Sequence, residues 1–190
     1  MLSWYLARGA GIAAFASLSV ATGAGALTAR RAAAVEARVI TQYVHRAAAL
    51  AGLLLLGLHV LLLVTDSYAR VGAIGALVLF GSGYRPAPVS LGVTAMYLLL
   101  AVAASGLLRA RFARSASAVR RWRAIHLASY AAWVLAAWHF LAAGTDSGQW
   151  WARLVLFAGL AVVAGGVTVR LTDRQPPVRR HAPVAVGARR

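Results

Sequence analysis

The sequence contains no cysteine, which removes disulfides, thiol catalysis, iron–sulfur clusters and thiolate-bound metal from the chemistry open to the chain. Acids are nearly as scarce, since Glu36, Asp66, Asp146 and Asp173 are the only four carboxylate side chains in 190 residues. Metal chemistry must fall to His, Met, Tyr or those few carboxylates. Against them stand twenty basic residues, all arginine, for a formal net charge of +16. In a soluble protein such a charge would suggest nucleic acid as partner, but the arginines are confined to gaps between apolar runs. A hydrophobic content of 61% cannot be hidden inside a soluble domain of this length. Lipid is the expected solvent, and no nucleic-acid partner is expected.

Five runs are long enough to cross roughly 30 Å of hydrocarbon at about 1.5 Å per helical residue. They lie near Leu2–Ala26, Tyr43–Thr65, Val89–Leu108, Ile125–Ala143 and Trp151–Val169. The first lacks the basic start of a signal peptide and is long, so a retained helix is expected. Val71–Gly81 is apolar but too short to span, and the Gly81-Ser82-Gly83-Tyr84-Arg85-Pro86 segment then interrupts the chain. It reads as a short helix on the outer side, lying at the surface or dipping inward, with a sixth tilted span as the alternative. The fold expected is all-α: a polytopic bundle of about five spans plus that short helix. Residues 1–171 would form the membrane domain, and residues 172–190 a disordered, basic cytoplasmic tail.

Arginine placement orients the bundle. Arg30, Arg31, Arg38 and Arg46, then Arg109, Arg111, Arg114, Arg120, Arg121 and Arg123, then Arg170 and the tail arginines all fall on one side of a five-span chain. Arg8, Arg70, Arg85 and Arg153 fall on the other. The positive-inside rule puts the N-terminus outside and the C-terminus in the cytoplasm of a cell inner (plasma) membrane.

Orientation gives the histidines their meaning. His45 and His59 are 14 residues apart on the second span, and His126 and His139 are 13 apart on the fourth. Both spans start at the cytoplasmic face, so His45 and His126 share an inner level, and His59 and His139 an outer one. Histidine within lipid is expensive unless bonded, and four at two matched depths suit bis-axial ligation of haem iron. Haem supplies four equatorial nitrogens, whereas a zinc or non-haem iron site wants three or four protein ligands. Hydrogen-bonded structural histidines are the bland alternative. Depth is tidier than facing: 14 residues turn an ideal helix by about −40°, but 13 turn it by about 220°. Local unwinding, a π-bulge near Ala131–Ala137, or haems approached from different flanks would reconcile the fourth span.

Around this constellation, Arg46, Arg109 and Arg123 are candidates to meet the propionates of an inner haem, and Arg70 and Arg85 those of an outer one; topology explains the inner three equally well. Thr65-Asp66-Ser67 and Thr145-Asp146-Ser147 follow His59 and His139 at the same distance, a weak internal repeat that sets both acids at the outer rim. They read as caps or as groups that steer a cation or a proton. Trp4, Trp122, Trp150 and Trp151 read as interfacial anchors. Trp133 and Trp138 are deeper, and pack either on a macrocycle or on helix and lipid. Gly52 and Gly57 permit close helix packing or leave room for a haem. Met96 is an axial ligand in principle, but packing is the simpler reading.

The pattern His45-x13-His59 with His126-x12-His139, the segment Arg121-Trp122-Arg123-x2-His126-x3-Tyr130, and the run into Gly144-Thr145-Asp146 together resemble the ferric-reductase-like transmembrane domain. That superfamily includes ferric reductases, NADPH oxidases and the haem-bearing subunit of the bacterial methionine sulfoxide reductase system. The similarity covers about Tyr43–Leu171, and the four-histidine spacing is its specific part. The resemblance implies electron transfer across the membrane through two b haems, the inner held by His45 and His126 and the outer by His59 and His139. Unlike the large reductases, these 190 residues show no FAD or NAD(P)H module and no Gly-rich phosphate-binding fingerprint.

The function expected is therefore that of an electron-transfer component of a haem-dependent oxidoreductase. Its donor would be a separate flavoprotein or quinol, and its outer-side acceptor ferric iron, oxygen or a periplasmic protein. A non-redox transporter or channel, or a structural membrane subunit, is the alternative from another class. A transporter would ordinarily show polar groups along a central route, and these spans have few.

Overall fold

The computed structural model describes residues 2–28, 34–66, 68, 70–112 and 115–173. These residues form seven helices: α1 (Leu2–Leu27), α2 (Val35–Thr65), α3 (Gly72–Leu77), α4 (Pro86–Leu107), α5 (Arg109–Phe112), α6 (Ala116–Ala143) and α7 (Trp150–Thr172). Five of them, α1, α2, α4, α6 and α7, are long and apolar enough to cross a membrane. The chain is a multi-pass α-helical membrane protein. The tail from Arg174 onward, with its expected disorder, lies outside the described residues.

Each span exists where the hydropathy placed it, but α2 and α6 begin eight or nine residues earlier than expected. The added segments, such as Ala116–Ala124, are too polar for hydrocarbon, yet rich in Ala and Arg, which favour helix. Ser115 caps α6 by accepting the Ala118 N–H at 3.2 Å. Val71–Gly81 contains the six-residue α3, seated between α2 and α4. At the start of α4, Arg85 takes a left-handed conformation with φ 39° and hands over to Pro86, whose fixed φ suits a first helical turn.

Packing follows two hairpins. α2 lies along α1, α6 lies along α4, and α7 closes on α1, which also touches α6. α2 and α6 do not pack along each other. α1 is consequently the most buried span, with small residues such as Ala7, Ala10, Ala14 and Ala21 at its contacts. α2 is the least buried, with Gly52 its single buried residue, and Leu50, Leu54, Leu58 and Leu61 form an outward stripe suited to lipid. The core joins α1, α6 and α7 through Phe15, Trp133 and Val163. There Phe15 stacks on Trp133 at 5.7 Å, and the Trp133 Nε1–H donates to Ser19 Oγ at 2.8 Å. Trp133 thus packs on helices, and the exposed Trp138 faces outward.

Candidate functional site

The ring of each of the four histidines meets the neighbouring helix of its own hairpin. His45 Nδ1 contacts Ala21 O at 2.8 Å and His59 Nδ1 contacts Ala7 O at 2.7 Å, both on α1. His139 Nδ1 contacts Pro88 O at 2.9 Å on α4. His126 Nδ1 lies 3.3 Å from Ser105 Oγ, whose hydroxyl donates to Val102 O at 2.7 Å. A carbonyl can only accept, so Nδ1 carries the proton in the first three rings and Nε2 carries the lone pair. Among the described residues Nε2 has no hydrogen-bond partner in any of the four.

Two levels result. At the arginine-rich end the rings of His45 and His126 stand 6.1 Å apart between centroids, at 64° to one another. At the opposite end His59 and His139 line one apolar cleft with Leu56, Val93, Met96 and Phe140. α2 and α6 therefore run in the same direction, as the arginine pattern required. The open seam between them is what the missing α2–α6 packing leaves.

The 13-residue step on the second histidine helix is accommodated without a defect. α6 is α-helical throughout, with no π-bulge near Ala131–Ala137. His126 meets α4 through the Ser105 hydroxyl, which itself donates to the Val102 carbonyl. Trp122, expected only as an interfacial anchor, stacks on that ring at 5.1 Å and donates its indole N–H to Ser105 O at 3.1 Å. The Arg109 guanidinium lies over the Trp122 ring, 5.2 Å from its centroid.

The opposite rim is tied by the two repeated acids. Asp66, at the end of α2, accepts from Ser3 Oγ at 2.9 Å. Asp146 holds Arg8 in a two-pronged pair: Arg8 Nε donates to Oδ2 at 2.8 Å and a second guanidinium nitrogen contacts Oδ1. Both acids thus anchor the first turns of α1. Arg8 and Asp146 also border the His59–His139 cleft. In sequence Arg8 is only a charge on the side with fewer arginines, and its link to Asp146 spans 138 residues.

Of the arginines proposed for propionates, Arg85 donates to Ala142 O at 2.7 Å and closes the end of α6, beside a Tyr84 hydroxyl that donates to Ala143 O at 3.1 Å. Arg46, Arg70, Arg109 and Arg123 are exposed at the ends of the bundle, Arg70 with a positive φ of 50°. Gly52 serves packing, since a Cβ there would lie 2.7 Å from Leu18 Cγ; around Gly57 the same test meets only open space. Met96 is buried on the cleft wall.

Two imidazoles that share one metal through Nε2, at about 2 Å per bond, hold their centroids roughly 6 Å apart. The His45–His126 pair already stands at that separation. No family model, curated protein or solved structure matches this chain. The donor set must therefore be judged on its own chemistry. Among the described residues no third His, Cys, Asp or Glu completes a metal-holding group with either pair, so each level offers two imidazoles, with the Met96 thioether on the wall of the second. That set fits a group bringing its own equatorial ligands, and the apolar cleft at the second level fits a flat hydrophobic one.

Proposed function

We propose that the chain is a transmembrane electron-transfer component holding two b-type haems, one between His45 and His126 and one between His59 and His139. The observation that carries the reading is the shared state of the histidines: Nδ1 occupied by the neighbouring helix, Nε2 without a hydrogen-bond partner among the described residues, at two levels of one seam. A bound haem would supply an iron centre able to take up and release one electron at each level.

The chain's own residues do the rest. Ala7, Ala21 and Pro88 carbonyls fix the orientation of three rings and raise the basicity of Nε2, as outer hydrogen bonds do for ligating histidines generally. Leu56, Val93 and Phe140 keep water from the His59–His139 level. Arg8 places a cation beside that cleft, with Asp146 holding it there, and the exposed Arg46, Arg109 and Arg123 are available to anionic groups at the other end.

In this reading the chain resembles a ferric-reductase-like membrane domain, with its N-terminus outside and its C-terminus in the cytoplasm. Electrons would enter from a flavoprotein or quinol and leave to ferric iron, oxygen or a periplasmic protein. Purified protein should show reversible b-type absorbance with two components. His59→Ala or His139→Ala should abolish one component, and His45→Ala or His126→Ala the other. Folded protein supplied with haem yet giving no haem signal would refute the proposal and leave a non-redox transporter or structural subunit.

A further inference from the structure

We propose that α1 and α4 carry the positioning half of the histidine sites through a repeated unit: a carbonyl that holds Nδ1 and, four residues later, a glycine that lets the ring reach it. The assignment of the rings as ligands rests on the dihaem reading above; the contact itself does not.

The unit recurs in both hairpins. On α1, Ala7 O with Gly11 serves His59, and Ala21 O with Gly25 serves His45. On α4, Pro88 O with Gly92 serves His139. The fourth copy is relaxed: Val102 O is reached through Ser105, with Gly106 following it by four residues. Gly11 and Gly25 are 14 residues apart, as are Gly92 and Gly106, the same step as His45 to His59. Fourteen residues bring a helix back to within about 40° of its starting face, so both units of a helix address one seam.

Helix geometry explains the spacing. A backbone carbonyl is already bonded to the N–H four residues on, so a third group must approach from alongside that residue. Every Cα–Cβ bond tilts toward the helix N-terminus, so a side chain there would cover the carbonyl being approached. Glycine leaves it open. A Cβ on Gly11 would lie 2.8 Å from His59 Nδ1, on Gly25 3.0 Å from His45 Nδ1, and on Gly92 2.8 Å from His139 Nδ1. At Gly106 the nearest atom, His126 Cε1, would be an ordinary 3.9 Å away. The serine spacer and the relaxed contact explain each other.

The test is a set of double-mutant cycles on the full chain in detergent, read by thermal unfolding. Gly11→Ala, Gly25→Ala and Gly92→Ala should each lower Tm, whereas Gly106→Ala should not. The loss should vanish when the facing ring is removed, in Gly11→Ala/His59→Ala and its counterparts. If a glycine variant fails to accumulate, recovery of its double mutant gives the same answer. Failure of both, or a loss that persists without the ring, would overturn the assignment. In haem-replete protein, Gly11→Ala and Gly92→Ala should raise the midpoint potential of the His59–His139 component, and Gly25→Ala that of the other, because a weakened Nδ1 bond makes a less basic ligand. Unmoved potentials would overturn the positioning role while leaving the dihaem reading intact. Coupling in a protein that binds no haem would refute the dihaem reading and reduce the units to helix-packing bonds.

Discussion

Replacing Asp146 by Asn isolates the pair that ties α1 to the segment between α6 and α7. The substitution keeps the shape and one acceptor but removes the charge facing the Arg8 guanidinium. The two side chains are 24% and 17% exposed, which places the pair between two known regimes. Exposed pairs are worth about 0–1 kcal/mol, and removing one partner of a fully buried pair costs about 3–5 kcal/mol. With roughly four-fifths of each side chain covered and two contacts made at once, Asp146→Asn should cost about 2 kcal/mol, nearer the buried regime than the exposed one. Part of that cost belongs to the stranded arginine rather than to the bond. Arg8→Gln in the Asp146→Asn background should therefore restore some stability. The assay is reversible unfolding in mixed micelles on the wild type, both single variants and the double. A coupling energy of about 1–2 kcal/mol is expected, and one below about 0.3 kcal/mol would show that the pair does not fasten α1.

Ser19→Ala should strand the buried Trp133 indole N–H and cost about 1 kcal/mol, within the range seen for hydrogen bonds between membrane helices, with a change in tryptophan emission; an unchanged spectrum and Tm would refute that role. At adjacent positions on α7, Gly166→Ala should destabilise by about 1–3 kcal/mol while Gly165→Ala stays near neutral, because a Cβ on Gly166 would lie 2.5 Å from Gly23 O and one on Gly165 would meet nothing within 4 Å. Equal melting temperatures for the two variants would contradict the close α1–α7 contact.

The spans and the two histidine levels were legible because both depend on quantities written along one dimension. Hydropathy runs reveal lengths, and the 14- and 13-residue steps reveal depth. The helical starts of α2 and α6 were not, since hydropathy reports where lipid ends and not where an Ala- and Arg-rich helix ends. The partners of the histidines were hidden for a different reason. Ala7, Ala21 and Pro88 contribute only their carbonyls, and a backbone carbonyl has no residue identity to read. The glycines that expose those carbonyls do leave a trace, in the matching intervals from Gly11 to Gly25 and Gly92 to Gly106. Gly52 and Gly57 lie between histidines in sequence, whereas Gly11, Gly25 and Gly92 lie opposite them in space. The stacking of Trp122 on His126 depends on a helical i, i+4 relation that topology arguments do not use.

The fastening of α1 by Asp146 has a consequence for how the protein is made. Arg8 is translated 138 residues before its partner, so at roughly 5–20 residues per second it waits roughly 7–30 s for a counter-charge. During that interval the first helix already has α2 to lean on, but its face for α7 is bare and its guanidinium must stay near the headgroups. A mutation that weakens the early α1–α2 hairpin would thus act on insertion and on the yield of finished protein, before any property of the completed bundle could be measured.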